Sequence, residues 1–174
     1  MDRDDLIELL RQVDASLESP IEIVVVGGAA MILHFGAERA TRDIDAIVLR
    51  GAAVELRAAA RAVARVRDLD EDWLNDGVKG YSGILPPDFA TRLTALRLGL
   101  SKLTVYALGR PDQAAMKIVA LREQDLEDLE LLLPPRSASE LAVLRRVAEH
   151  LATFRPDWAL KLRLFLEEKG WPID

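Results

Sequence analysis

Two short stretches of this chain hold residues whose types and spacing could do chemistry: Gly27-Gly28 and, a little downstream, Asp43-Ile44-Asp45. Paired glycines let backbone approach a ligand closely, because neither residue carries a Cβ. Backbone N–H groups that open a helix just after such a pair favour an anion such as phosphate. Asp43 and Asp45 lie two apart, so on a strand both carboxylates project to one face while Ile44 turns to the other. Side by side, two carboxylates repel each other unless a cation sits between them. Oxygen-only ligation suits Mg²⁺ or Mn²⁺, ions that also bind phosphate oxygens. Each stretch also has a plainer reading: a tight turn for the glycines, and solvated residues at a strand edge for the aspartates.

The elements around these stretches are those needed to position them. Ile21-Glu22-Ile23-Val24-Val25-Val26 is short and β-branched and reads as a buried strand that ends at Gly27-Gly28. A helix over Ala29–Phe35 stops at Gly36, and a second strand over Asp43–Leu49 leads to a helix over Ala52–Val66. Ahead of them, Leu6, Leu9, Leu10, Val13 and Leu17 recur at near-helical spacing up to Ser19-Pro20. A brief strand is expected at Tyr81–Leu85, before Pro86-Pro87, and another at Leu103–Leu108, ended by Gly109-Arg110-Pro111. Helical segments follow, one carrying Met116, Ile118, Val119 and Leu121, the next Leu126, Leu129, Leu131 and Leu132. Beyond Pro134-Pro135 the pattern is purely helical, over Ser139–Thr153 and Pro156–Lys169. The expected organisation is an α/β body over 1–134, with a small sheet flanked by helices, and a helical segment over 135–174 packing on it.

Composition narrows the classes further. With 174 residues, half apolar and 30% charged, the chain can bury a real core and is not disordered. Its 23 basic and 29 acidic side chains leave a net charge of −6, which argues against a protein that coats nucleic acid. The absence of cysteine excludes disulfides and thiolate chemistry, and two distant histidines do not make a metal cage. An acidic N-terminus and the lack of any apolar run near ~18 residues lead to the expectation of a cytoplasmic protein with no membrane partner. Arg57, Arg61 and Arg65 recur every fourth residue and read as a solvated helix face. His34 and the three tryptophans read as packing residues rather than ligand contacts.

Gly27-Gly28 followed by Arg39-x-Thr41-x-Asp43-Ile44-Asp45 resembles the nucleotidyltransferase fold of the DNA polymerase β superfamily, whose signature is a Gly-Gly or Gly-Ser turn and then Asp-x-Asp. The spelling is most similar to the minimal bacterial nucleotidyltransferases, a group that includes AbiEii-type toxins. Downstream, Met116-Lys117-Ile118-Val119-Ala120-Leu121-Arg122-Glu123-Gln124-Asp125-Leu126-Glu127-Asp128-Leu129 is similar to the same group's lysine, arginine and Arg-Asp-x-x-Asp-Leu helix. The resemblance implies transfer of a nucleoside monophosphate from an NTP to an acceptor, with Asp43 and Asp45 holding Mg²⁺ or Mn²⁺. Gly27, Gly28, Arg39 and Thr41 would then face the nucleotide. Lys117 and Arg122 would offset charge on the leaving pyrophosphate, and Asp125 would be the acidic residue of the helix motif. It further implies an acceptor drawn from RNA, protein or small molecules, and an antitoxin as a protein partner. Full members of the superfamily place a third carboxylate on a later strand, and Leu103–Leu108 contains none. Asp70, Asp72, Asp76 and Asp125 are the alternatives, and a silent, nucleotide-binding relative is the rival to an active enzyme.

Overall fold

The computed structural model describes residues 1–75 and 83–173. Two compact units divide the chain, Met1–Gly80 with Leu93–Leu108, and Tyr81–Arg92 with Gly109–Asp174. The architecture is mixed α/β, with a five-stranded sheet and a helical C-terminal stretch, in line with a nucleotidyltransferase-like fold.

In the first unit, β1 (Ile21–Val26) is the centre of the sheet. It pairs antiparallel with β2 (Ile44–Arg50) and parallel with β5 (Leu103–Ala107). Two short strands complete the edges: β3 (Leu74–Asn75) beside β2 and β4 (Thr94–Ala95) beside β5, in the order β3-β2-β1-β5-β4. A central strand buried on both faces should read as a nearly unbroken apolar run, and β1 is buried at every position except Glu22. α1 (Arg3–Ser16) lays Leu6, Leu9, Leu10 and Val13 into the core, beside buried side chains of α2 (Gly27–Leu33) and α3 (Ala53–Arg67).

Polar side chains pin these helices to the sheet. Asp2 caps α1, accepting from Asp4 N and Asp5 N at 2.9 and 3.0 Å while Asp5 accepts from Asp2 N. At the other end of α1, the Asp14 carboxylate accepts from the backbone N–H groups of Ser101, Lys102 and Leu103, the last two at 2.7 Å. The Lys102 ammonium donates to Leu17 O. Glu55 on α3 accepts from Glu18 N and from both Ser19 N and Ser19 Oγ, so it ties down the turn into β1. Trp73 is buried and donates from Nε1 to Ala60 O at 2.9 Å, which joins β3 to α3.

The second unit is helical: α4 (Arg110–Ala120), α5 (Glu123–Leu132), α6 (Ala138–Ala152) and α7 (Pro156–Glu168), preceded by a 3₁₀ turn over Pro87–Arg92. Leu121 takes a left-handed conformation, φ 48°, at the corner between α4 and α5. Arg92 in the 3₁₀ turn forks onto the fully buried Asp112 of α4, with Nε and Nη2 each 2.8 Å from a carboxylate oxygen. Two parallel charged hydrogen bonds of this kind are among the strong ones.

Most elements stand within a residue or two of the sequence expectation. α2 begins at Gly27 rather than Ala29, because Gly27 itself makes the turn out of β1. The strand expected at Tyr81–Leu85 is not seen over 83–85, where the chain turns with Ile84 and Leu85 buried; Tyr81 and Ser82 lie outside the described residues. Pro86-Pro87 leads instead into the 3₁₀ turn, which two fixed φ angles favour over a ladder.

Asp14 supplies a pH-dependent test of this frame. Burial pushes its carboxyl up, but the N–H donors of Leu103, Ser101 and Lys102 and the Lys102 charge outweigh it, so the group sits below its ordinary value of 3.8. A carboxyl whose folded value is depressed contributes stability above its unfolded value and loses it as pH falls. Asp14→Asn should therefore destabilise the protein by about 1–2 kcal/mol at pH 7. In urea titrations the gap from wild type should narrow below about pH 5.

Candidate active site

The register of β1 and β2 creates the site. Val26, the last residue of β1, stands opposite Asp45. The next residue, Gly27, turns the chain into α2 with φ +61°, a conformation that costs any other L-residue about 1–2 kcal/mol. A Cβ at Gly27 would stand 3.2 Å from Asp45 Oδ2. At Gly28 a Cβ would meet Thr41 Oγ1 at 3.1 Å and Arg39 Nη1 at 3.6 Å. The two glycines thus let backbone pass close to a carboxylate and a hydroxyl, each of which would have to give way to a side chain, with a guanidinium at ordinary contact distance beyond.

The segment carrying those groups is itself anchored. Thr41 N donates to Met1 O at 2.9 Å and Met1 N to Thr41 O at 2.7 Å, so the start of α1 braces the approach to β2. Thr41 Oγ1 donates to Asp43 O at 3.2 Å, with Asp43 Oδ1 at 3.5 Å. Asp43 precedes β2 and is exposed, Asp45 is half-buried, and Ile44 between them is fully buried. This is the alternation expected of Asp-x-Asp. Gly27, Gly28, Arg39, Thr41, Asp43 and Asp45 therefore occupy one corner of the first unit. Its donor set of carboxylate and hydroxyl oxygens fits Mg²⁺ or Mn²⁺ and contains no sulfur or imidazole that would favour zinc.

On the other side of β2, the residue opposite Asp45 is Asn75 of β3. No group of three or more His, Cys, Asp or Glu side chains able to hold a metal stands among the described residues. Of the alternatives for a third carboxylate, Asp70 accepts from Asp72 N in the turn before β3, and Asp76 lies outside the described residues. Arg61 and Arg65 are exposed, as expected of a solvated face, and lie 3.8 and 4.0 Å from the exposed Glu71. His34, expected to pack, is exposed just past α2, edge-on to Phe35.

The second block of sequence forms a constellation of its own in the helical unit. Lys117 of α4 is only 7% exposed, and its ammonium lies 2.6 Å from Asp125 Oδ1 and 2.6 Å from Asp128 Oδ2 of α5. Asp125 Oδ2 accepts from Arg122 N at 2.9 Å, so both oxygens of Asp125 are engaged. Arg122 is exposed at the start of α5. The burial of this triad was not legible in the sequence, where Lys117 reads equally well as a surface lysine. The available signal was spacing: with a reversal at Leu121, α5 folds back and brings positions 125 and 128 beside 117.

The fold and the corner at Gly27-Gly28 and Asp-x-Asp define an α/β protein of the nucleotidyltransferase class. The chain belongs to the family described as "Nucleotidyltransferase of unknown function (DUF6036)", whose model matches residues 4–134, well over half its length. Searches of curated proteins and of solved structures returned no match. No helix among the described residues is long and apolar enough to cross a membrane.

Removing one partner from a buried ion cluster leaves uncompensated charge, at a cost of about 3–5 kcal/mol. Lys117→Met should lower the stability of the protein by about that amount, because Asp125 and Asp128 would face each other buried. Urea unfolding at pH 7 measures it.

Proposed function

We propose that this protein is a Mg²⁺- or Mn²⁺-dependent nucleotidyltransferase that moves a nucleoside monophosphate from an NTP to an acceptor hydroxyl or phosphate. The observation that carries the reading is the space beside the two glycines: a Cβ at Gly27 would crowd Asp45 Oδ2 and one at Gly28 would crowd Thr41 Oγ1, with Arg39 close by. Carboxylates for a cation and unobstructed backbone for a phosphate then share one corner. Asp43 and Asp45 would hold the cation, which when bound would lower the pKa of an acceptor hydroxyl and offset phosphate charge. In the reaction an acceptor oxygen bonds to the α-phosphorus as the bond to pyrophosphate breaks. Gly27 and Gly28 leave room for the triphosphate, and Arg39 and Thr41 orient it. In the helical unit Lys117 is held by Asp125 and Asp128, and a charge-offsetting role for it and for Arg122 is supported by the likeness of their motif alone.

The resemblance of the motifs to AbiEii-type proteins supports a finer role as the toxin of a toxin–antitoxin pair, with RNA as one acceptor. Arrest of growth on expression, relieved by a neighbouring small gene, is the result that role requires. A second reading, nucleotide binding without turnover, is favoured by Asn75, which stands opposite Asp45 on the neighbouring strand.

The deciding experiment incubates the protein with each α-labelled NTP, Mn²⁺, total RNA and lysate proteins. Label should pass to an acceptor and pyrophosphate should be released. Asp45→Asn should reduce transfer at least about 100-fold, no less than the loss of a supporting metal-site partner. Nucleotide binding with no pyrophosphate release would establish the second reading instead.

A further inference from the structure

We propose that the open cavity between the start of α1 and the loop after α2 receives the nucleoside of the NTP, with its base stacked on the His34 imidazole. The inference rests on the reading of Gly27-Gly28 with Asp43 and Asp45 as a nucleotide site, and adds where the rest of the nucleotide lies. The cavity has a volume of about 680 Å³, within the range of small-molecule sites. Ile32 and Leu33 are its apolar lining, and His34, Glu38, Arg39 and Asp4 bring polar groups to it. Arg39 joins the cavity to the candidate site: it lines the one, and its Nη1 stands 3.6 Å from where a Cβ on Gly28 would lie in the other. A nucleoside is bonded to its triphosphate, so it must lie within reach of that corner. The cavity beside Asn75, on the β3 side, measures only about 30 Å³, room for little more than a water and none for a ring.

The backbone fixes the His34 ring at this cavity. His34 N donates to Ala30 O at 3.0 Å, the chain turns at Gly36 with φ +79°, and Ala37 N returns to Met31 O at 3.0 Å. The imidazole meets Phe35 edge-on, with centroids 4.7 Å apart, and the residue is otherwise exposed. An exposed aromatic ring is a platform on which any base can stack. The surrounding chain takes enough water from the imidazole to hold it below its ordinary value of 6.5, so the ring is neutral at pH 7. Asp2 caps α1, and the other charges of the rim, Asp4 and Glu38 against Arg3 and Arg39, balance. Balanced charge suits a neutral, hydrogen-bonding ligand rather than a polyanion. Carboxylates accept from ribose hydroxyls and base amino groups, and a guanidinium donates to base carbonyls and ring nitrogens.

The test uses the full-length protein with Mg²⁺ and two kinds of probe, the four NTPs and inorganic tripolyphosphate, which lacks a nucleoside. His34 and His150 are the two histidines of the chain, so His34→Ala assigns the His34 ring signals in the NMR spectrum. At least one NTP should move those signals upfield, as stacking does, while tripolyphosphate leaves them in place. In calorimetry His34→Ala should weaken that NTP at least about fivefold, the low end for one stacked base, and leave tripolyphosphate unchanged. His34→Phe should restore the affinity. If tripolyphosphate binds but NTP affinity and the His34 signals are indifferent to the nucleoside, the inference is overturned while the triphosphate corner stands. Equal loss of both probes in His34→Ala would mark a structural role and overturn it as well. If the wild-type protein binds neither probe, the nucleotide reading falls with it.

Discussion

The register of β1 against β2 is the constraint on which the candidate site depends. Side chains alternate across a strand, so a slip of one residue would turn Asp45 into the core and bring Ile44 out. The buried run Ile23 to Val26 and the buried Ile44 and Ala46 hold the pairing against that slip. Its only irregularity falls between Glu22 and Ile23, at the end of the ladder away from Asp45. With Val26 held opposite Asp45, Gly27 must begin its turn within van der Waals reach of a carboxylate. Only a residue without a Cβ does so without displacing it.

That constraint explains why the site was largely legible in the sequence. Gly27-Gly28 and Asp43-Ile44-Asp45 are local patterns, and the β-branched run before the first and the buried alternation of the second both report strands. The main helices were legible for the same reason, as periodic apolar faces with clear stops at Pro20, Gly36 and Pro134. What escaped was set by tertiary contact. β3 and β4 are two residues each and exist because a neighbouring strand offers a ladder, which no local pattern announces. The 3₁₀ turn is fastened by Arg92 reaching Asp112, twenty residues on.

The helical unit shows the same division between local and non-local information. Lys117, Asp125 and Asp128 are unremarkable charged residues on helices until Leu121 reverses the chain. They then become a buried cluster in which two carboxylates share one ammonium. Burial of charge is tolerated only with such pairing. It leaves Glu123, Glu127 and Glu130 as the outer charges of α5, so one helix carries an inward acidic face for structure and an outward one that shapes its surface. The family match extends through α5 to residue 134, while α6 and α7 lie beyond it.

Asp43 and Asp45, beside Gly27-Gly28, are proposed to form a site for a divalent cation and a triphosphate together. Electron paramagnetic resonance of Mn²⁺, titrated with the protein alone and with a non-hydrolysable NTP analogue, tests it most directly. Free Mn²⁺ signal should fall saturably in wild type and fall further when the analogue is added. In Asp45→Asn it should stay close to that of the analogue alone. If wild type and Asp45→Asn give the same signal with the analogue present, the carboxylate pair is not a metal site and the account fails.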